Sequence, residues 1–358
     1  MDDKKDDLLL NSIIRHQAYL YRLSSGEVIA LLKQFNRESS SMLSKVRDLL
    51  DELSDSERVA LSGARYTTAN LKEIKRILDD WQSFIFTALP ETFAVSAVAL
   101  AVYESQYQAK TLGKKIKEPN GESILKQAKR KPFAGGMLID RMFSDMAENT
   151  RRRVEYAIRD GISIGQTNQQ LIQRIKGTSK LNYEDGILNQ SRQSIDMMVR
   201  TARSHVSNTA YEETYKALGV NKLKVSATLD SRTCKFCASE DGNVYDIDDP
   251  NRPRFPVHPR NRTVYVPYVE NKDEKFAGKR PFVRSAGDAG QVSADTNYKK
   301  WFEEQSEDYQ REWLGNKRYE LYKNGGYTID KFLDPEGKLY TLKELKALDE
   351  KTFKELGL

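Results

Sequence analysis

Two cysteines and one histidine are the residues of this sequence best suited to chemistry. Cys234 and Cys237 are separated by two residues and are the only cysteines among 358 residues. A Cys-x-x-Cys turn lets two sulfur atoms reach one metal ion, and His258 returns on a later segment as a third ligand. The pattern therefore predicts a metal site formed by Cys234, Cys237 and His258, with structural zinc as the candidate ion.

The same residues allow other interpretations. A closed zinc site has four ligands, and Asn261 is a poor one, so Asp230 or an external group would have to complete the shell. A reduced cysteine pair without metal, with His258 as an ordinary hydrogen-bonding residue, explains the pattern equally well. Redox chemistry is disfavoured because Phe236 lies between the cysteines and no thioredoxin-like βαβ pattern surrounds them.

No complete catalytic set accompanies these residues. The sequence has no HExxH motif and no glycine-rich phosphate loop, so a metalloprotease or a nucleotide-driven motor lacks support. A His-Asn-His nuclease would use His258 and Asn261, but the other histidines, His16 and His205, both lie upstream. Nucleophilic catalysis by Cys234 with His258 is conceivable, but a Cys-x-x-Cys turn accounts for the presence of these residues more economically. We therefore predict that the chain is not an enzyme.

A short basic segment is the second candidate site. The formal net charge is +6, and residues 110–131 alone hold eight lysines and arginines against two glutamates. Such runs bind polyanions through phosphate contacts and counterion release. A solvated linker is the alternative. The candidate nucleic-acid-binding residues are Lys114, Lys115, Lys117, Lys126, Lys129, Arg130 and Lys131.

Helical periodicity dominates the chain before the cysteines. Apolar residues recur at helix spacing over 46–53 and 71–81, and a long helix is expected from Gln190 to Leu218. Pro90 predicts a break in the chain. Pairs with capping-box spacing mark further helix starts: Ser54 with Glu57, Asn70 with Glu73, Thr167 with Gln170, and Thr341 with Glu344.

Alternating apolar residues over 223–227 and 264–266 predict strands on both sides of the cysteines. The predicted fold is mainly α with a small β-containing cysteine-knuckle domain, of the α+β class, in an elongated chain of several modules. The modules are an N-terminal helical module over 1–108, a basic linker over 109–132, a helical region over 133–199, a core with the knuckle over 200–269, a polar linker over 270–293 and a helical tail over 294–358.

Composition also bears on the compartment. The most apolar window, 92–103, is shorter than the roughly 20 residues that cross a bilayer, so it predicts a buried helix and no membrane span. The acidic start of the chain does not resemble an export signal. Two cysteines exclude a disulfide framework and fit a cytoplasmic or virion context.

The stretch from Arg200 to Tyr268 resembles the Mu F-like head-morphogenesis domain of tailed phages. The matching motifs, in order, are Arg200-Thr201 on a helix, Asp230 with Arg232 before the two cysteines, the turn Asp241-Gly242, and Pro256-Val257-His258-Pro259 with Arg262. Two positions depart from the family pattern. Asn261 stands where many members have cysteine, and Ala202 stands where an acidic residue often follows Arg-Thr.

The resemblance implies a minor head protein inside the virion, present in the host cytoplasm during assembly. Its implied partners are the portal protein, a scaffold or major capsid protein, and double-stranded DNA. The alternative is a virion-associated nuclease or ADP-ribosyltransferase-like enzyme, since related folds have been linked with ADP-ribosyltransferase modules. That activity needs a catalytic glutamate and an NAD cleft, and the sequence offers no position for either.

Overall fold

The computed structural model describes residues 3–133, 135–268, 279–285 and 287–358. As predicted, the fold is mainly α with small sheets. The helices before the cysteines are α1 (Asp3–Glu52), α2 (Asp55–Ser62), α3 (Ala69–Thr111), α4 (Gly121–Arg130), α5 (Ile139–Ser163), α6 (Asn168–Lys176) and α7 (Ile187–Ala217), with a 3-10 turn at Ser179–Leu181.

These seven helices form one stack, which we call the helical stack. At 1.5 Å per residue, the 50 residues of α1 and the 43 residues of α3 span about 75 Å and about 65 Å. Their apolar stripes meet α5 and α7 in a single apolar core that runs from Leu20 to Ala210. The predicted modules 1–108 and 133–199 therefore share their core with the start of the predicted 200–269 module.

Three of the four predicted capping boxes are present, at Ser54, Thr167 and Thr341. The box predicted at Asn70 is wrong, because Thr68 caps α3 two residues earlier. Glu73, the expected partner of Asn70, instead forms an ion pair with Arg76 at 2.5 Å.

The break predicted at Pro90 is also wrong, since α3 continues through it. A proline inside a helix costs about 3 kcal/mol. On either side of Pro90, however, Ile85, Leu89 and Phe93 are all buried in the same core. Burying three such side chains contributes about 1.5–3 kcal/mol each, which outweighs the lost hydrogen bond.

The predicted basic linker contains a helix. Asn120 caps α4 by accepting a hydrogen bond from the backbone of Ser123 at 2.9 Å. The apolar side chains of Ile124, Leu125 and Ala128 are buried against α3 and α7. The basic residues therefore occupy the outer face of a packed helix as well as an extended segment.

One helix of the described chain, α3, is long and apolar enough to cross a membrane by length and composition alone. A third of the residues in its apolar window are buried. The predicted apolar window at 92–103 lies in the half of this helix that packs on α1 and α7. Since core helices pass the same test, we retain the prediction of a buried helix.

The cysteine knuckle follows the stack and consists of the short helix α8 (Lys235–Glu240) with two three-stranded sheets. The strands are β1 (Lys222–Ser226), β2 (Leu229–Asp230), β3 (Val244–Asp246), β4 (Val264–Tyr268), β5 (Lys279–Ser285) and β6 (Asp288–Ser293). The first sheet is antiparallel, in the order β3-β1-β4, and it contains both predicted strands. In the second sheet, of order β2-β5-β6, β5 pairs in parallel with β2.

The predicted polar linker, 270–293, falls partly outside the described residues, and its described part contains the hairpin of β5 and β6. The tail has a second apolar core of its own that includes Trp301, Phe302 and Trp313. Its helices are α9 (Tyr298–Glu303), α10 (Glu307–Leu314), α11 (Asn316–Asn324), α12 (Leu342–Leu348) and α13 (Glu350–Glu355), with a 3-10 turn at Ile329–Phe332.

Candidate metal centre

The two cysteines lie at the start of α8. Cys234 precedes the helix, and its sulfur accepts a hydrogen bond from the backbone N–H of Cys237 at 3.3 Å. This contact holds both sulfur atoms on one side of the turn. The two Sγ atoms and a ring nitrogen of His258 all lie within 4.8 Å of one another.

His258 faces both sulfur atoms through one ring nitrogen. Its Nε2 lies 3.2 Å from Sγ of Cys234 and 3.8 Å from Sγ of Cys237. Its Nδ1 lies 2.9 Å from the carbonyl oxygen of Pro259. Since a carbonyl can only accept, Nδ1 holds the proton there, and in the neutral ring Nε2 keeps a lone pair for a metal.

Asn261 lies beside Cys237 and His258 and directs a hydrogen-bond donor towards them. Its Nδ2 lies 2.9 Å from Sγ of Cys237 and 3.2 Å from Nε2 of His258, while its Oδ1 accepts from the backbone of Thr263 at 3.0 Å. An amide NH₂ group has no lone pair to offer a cation. Asn261 therefore supports the Cys237 sulfur but does not act as a ligand in this orientation.

The hydrogen bonds divide charge unequally between the two cysteines. The hydrogen bond with Cys237 lowers the pKa of the Cys234 thiol, and the contact with His258 acts in the same direction. The same cysteine contact, together with burial, raises the pKa of Cys237. The hydrogen bond with Cys234 raises the pKa of His258. These contacts favour the thiolate form at Cys234 over Cys237.

The three residues fit a soft divalent ion such as zinc. Bonds of about 2.3 Å to sulfur and about 2.0 Å to nitrogen give tetrahedral edges between sulfur and nitrogen of about 3.5 Å. The observed separations of 3.2 Å and 3.8 Å bracket that edge. Cys234, Cys237 and His258 would hold the ion, and a fourth ligand would have to come from elsewhere.

Asp230, the predicted alternative fourth ligand, is engaged by another partner. Both of its carboxylate oxygens accept from the guanidinium of Arg262, at 2.6 Å and 2.8 Å. Its Oδ1 also accepts from the backbone N–H groups of Arg232 and Thr233. Of the two options for the fourth ligand, Asp230 is therefore disfavoured, because its carboxylate is bound within the loop that leads to Cys234.

The geometry does not match a cysteine protease-like catalytic set. Such a set places its third residue on the ring nitrogen of histidine that faces away from the nucleophile. Here Asn261 meets Nε2, the same nitrogen that faces Cys234, and Nδ1 is bound to the neighbouring Pro259 carbonyl. The arrangement favours a metal site, or a thiolate stabilised by hydrogen bonds, over nucleophilic catalysis.

A second ion pair of the knuckle is buried. Arg280 donates to both carboxylate oxygens of Asp241, at 2.7 Å and 2.8 Å, and both side chains are almost fully buried. Asp241 also accepts from the backbone N–H groups of Ala227 and Tyr298. The adjacent Gly242 has a φ of +92°, which glycine adopts without strain.

Sequence reasoning did not identify Arg280 as a functional residue, because its partner lies 39 positions away. The predicted polar linker also concealed it, since Arg280 lies on β5. The available signal was weak: Arg280 directly precedes the apolar run Pro281-Phe282-Val283, and the turn Asp241-Gly242 contains a carboxylate.

The segment after His258 is docked on α7. Thr201 accepts a hydrogen bond from the backbone N–H of Arg260 at 3.1 Å. Asp196 accepts from Arg260 at 2.7 Å and from Arg200 at 2.8 Å. Arg200 also reaches Ser24 on α1 at 2.7 Å. The Arg-Thr motif therefore joins the knuckle to the helical stack.

The tail packs against the knuckle from the other side. The indole N–H of Trp313 donates to the carbonyl of Thr233 at 3.0 Å, and the ammonium of Lys235 lies 4.4 Å from its ring centre. A side chain at Gly337 would meet the ring of Phe236 at 2.4 Å. The residues flanking both cysteines are therefore held by the tail.

The predicted nucleic-acid-binding residues separate into two groups. Lys129 pairs with Asp140 at 2.9 Å, and Lys131 lies 3.6 Å from Glu212. The other predicted residues are exposed and, within the described ranges, form no ion pair: Lys114, Lys115, Lys117, Lys126 and Arg130.

The remaining family-motif positions have simple roles. Arg232 and Pro259 are both exposed. Arg232 contributes its backbone N–H to Asp230, and Pro259 contributes its carbonyl to His258. All the predicted motif residues except these two therefore act through their side chains or, at Gly242, through backbone conformation.

A comparison with protein families adds an independent finding. Residues 152–264 match the family described as Phage Mu protein F like protein. The matched range, just under a third of the chain, includes α7, both cysteines, His258 and Arg262. Comparisons with curated proteins and with solved structures gave no significant match. Residues 152–264 are therefore similar to the family described as Phage Mu protein F like protein.

Proposed function

We propose that this chain is a non-enzymatic minor head protein of a tailed phage that acts in procapsid assembly near the portal. The family match supports a head-morphogenesis role and a virion or assembly-associated location. One observation carries the non-enzymatic part: among the described residues, no carboxylate joins Cys234, Cys237 and His258. The nearby motif carboxylates, Asp230 and Asp241, are both bound by arginines.

The direct test is association with head components. Purified procapsids and tagged portal protein are each probed for the full chain, and a scaffold or major capsid protein is included as a second bait. We expect the chain in procapsids and in the portal pull-down. Absence from both would overturn the proposal, and nuclease or NAD-consuming activity of the purified chain would favour the enzyme alternative.

The exposed basic residues support a contact with double-stranded DNA. Lys114, Lys115, Lys126 and Arg130 lie within 17 residues and are exposed. We expect DNA binding that does not depend on base sequence. A plot of the logarithm of the binding constant against the logarithm of the salt concentration should be a straight line, with a slope of about −0.9 per phosphate contact. Replacing all four with alanine should flatten that slope.

The matched control for the DNA test removes charge at the other end of the chain. Lys343 and Lys354 are exposed residues of α12 and α13. Replacing this pair should leave the salt slope unchanged, whereas replacing Lys114 and Lys115 should lower it. Equal slopes in both double variants would mean that residues 110–131 serve only as structure.

A structural zinc ion at the knuckle is part of the proposal. Its support is the convergence of two sulfur atoms and one imidazole nitrogen within 4.8 Å. Elemental analysis of protein purified without chelator should show close to one zinc per chain. A zinc content below about half of that would favour the reduced, metal-free pair.

A further inference from the structure

A cleft of about 800 Å³ opens between α5 and α7, away from the residues of the knuckle and of the basic segment. Its α5 wall carries Arg152, Arg153 and Arg159, with Tyr156 between them. Its α7 wall carries Gln190 and Ser194, among other residues. Concave sites of this volume are of the size that receives ligand groups or inserted side chains.

The arginines of this cleft lack close acidic partners. Among the described residues, Arg153 donates only to uncharged groups, the carbonyl of Asn149 and the side chains of Gln190 and Ser191. Arg159 donates to the carbonyl of Ser62 at 3.2 Å and forms no ion pair in the described part of the chain. Arg152 has only a distant carboxylate, that of Glu148 on α5, at 4.0 Å. Positive charge therefore accumulates in the cleft.

The one carboxylate that lines the cleft is already neutralised. Glu155 accepts from Arg151 at 2.5 Å and from the hydroxyl of Tyr66 at 2.5 Å. Burial lowers the pKa of Arg153, which means that desolvation disfavours its charge. An anion in the cleft would offset this cost, because charge-assisted hydrogen bonds are strong where water is partly excluded.

The positions of the side chains define the shape of the ligand. Arg152, Tyr156 and Arg159 follow one another at intervals of four and three residues, so they lie on one face of α5. The two arginines are seven residues apart, which is about 10.5 Å along the helix. Tyr156 is 64% exposed between them. The ligand must therefore offer anionic groups about two helical turns apart.

We propose that this cleft is the docking site for an acidic segment of another protein, with aspartate or glutamate side chains on one face of a helix. Guanidinium groups form paired hydrogen bonds with carboxylates. Arginine and tyrosine dominate the binding energy of protein interfaces. The proposal goes beyond the head-assembly role, because it identifies the chemistry of a partner and the surface that receives it.

A protein segment fits the cleft better than duplex DNA does. The cleft is concave, and its walls contain arginines but no lysine. A duplex presents a convex, wide surface that would cover only the rim. The exposed lysines proposed to contact DNA, whose flexible point charges suit phosphate backbones, lie instead in the segment 110–131.

The test uses the full chain and a synthetic helix-forming peptide with glutamates at positions i, i+4 and i+7. A second peptide has the same composition with its glutamates spread around the helix. Affinities are measured by titration calorimetry for the wild type and for the double variant Arg152→Ala with Arg159→Ala. The control variant is Arg37→Ala with Arg141→Ala, which removes two exposed arginines, one from α1 and one from α5.

We expect the wild type to prefer the one-faced peptide, and the cleft variant to lose at least about tenfold in affinity. The control variant should stay within about twofold of the wild type. The proposal is overturned if the wild type does not distinguish the peptides, or if both variants lose affinity equally. It is also overturned, in favour of a nucleic-acid contact, if a DNA duplex displaces the peptide and its own binding depends on Arg152 and Arg159.

Failure of this proposal is distinguishable from failure of the head-assembly role. Peptide affinity is measured on the purified chain, whereas the assembly role is tested by the presence of the chain in procapsids. A chain found in procapsids that shows no preference for the one-faced peptide would remove only the cleft proposal.

Discussion

The helical stack buries a continuous apolar core over seven helices, whereas the knuckle contains one buried ion pair, one partly exposed ion pair and a cluster of cysteine, histidine and asparagine between short strands. In the stack, each helix contributes a stripe of apolar side chains, and many contacts share the stability. In the knuckle, a few ion pairs and hydrogen bonds hold the loops and short strands in place. We therefore expect single substitutions to have much larger effects in the knuckle than at the surface of the stack.

The largest effect is expected from Arg280→Ala. It leaves the carboxylate of Asp241 buried without its cation, which typically costs about 3–5 kcal/mol. Urea denaturation followed by tryptophan fluorescence measures the free energy of unfolding, since Trp301 and Trp313 lie in the adjacent tail core.

Lys279→Ala is the control for that substitution. It removes the same charge from the neighbouring, exposed position of β5 and should cost less than about 0.5 kcal/mol. Similar losses for both variants would mean that the buried pair does not determine the stability of the knuckle.

The second effect concerns pH and the stack. Burial lowers the pKa of His205 from 6.5 to about 4. Its Nε2 lies 2.9 Å from the carbonyl of Ala128, and its ring stacks on Phe133. Hydrogen bonds with the backbone of Ala128 and of Lys131 oppose the lowering of this pKa, as does Glu212, whereas the positive charge of Lys131 adds to it.

Because the folded pKa of His205 is below the unfolded one, the unfolded chain takes up a proton first as pH falls. Stability from this residue is fully present above pH 6.5 and decreases between pH 6.5 and about 4, by about 3 kcal/mol in total. His205→Gln, which keeps a donor for Ala128, should flatten this part of the stability curve relative to the wild type. Parallel curves for the two proteins would contradict the prediction.

Local sequence patterns predicted several helices and two strands, but not the polar pairs of the knuckle. The helix predicted over 190–218 is α7, and the predicted strands are β1 and β4, because periodicity records which face is buried. The partners of Asp230 and Asp241 lie 32 and 39 residues away. Spacing within a motif contains no information about such distant pairs.

The same limit explains two other differences. The N-cap of α3 is Thr68 and not Asn70, since both residues have suitable side chains and only the fold selects one. The tail contacts on Thr233 and Phe236 join segments far apart in the chain. The metal ligands could be proposed because cysteine is rare here and its spacing is specific, but the orientation of Asn261 required the structure.

A third, smaller effect sharpens the metal assignment. Asn261→Cys would replace an amide donor with a third thiolate, and so a fourth ligand, beside Cys237, and zinc affinity should rise at least about tenfold. Competition with a chromophoric chelator measures the affinity. Asn261→Ala, which removes the amide without adding a ligand, should bring no gain. Equal affinities for the cysteine and alanine variants would contradict a zinc site at this position.

The smallest effect is expected at a helix cap in the stack. Thr167 accepts from the backbone of Gln170 at 3.2 Å, and the side chain of Gln170 accepts from the backbone of Thr167 at 2.9 Å. Thr167→Ala should lower the free energy of unfolding by about 1 kcal/mol. Thr87→Ala, an exposed position inside α3, should change it by less than about 0.5 kcal/mol. Indistinguishable values would mean that the cap does not contribute.

The central claim is that the knuckle serves assembly through its structure. The most direct measurement is quantitative mass spectrometry of purified procapsids made with the wild-type chain or with Arg280→Ala, compared with the soluble lysate. The account predicts the wild-type chain in procapsids together with the portal protein, and a strong reduction of the variant there relative to the lysate. A wild-type chain absent from procapsids, or a variant incorporated as well as the wild type, would contradict it.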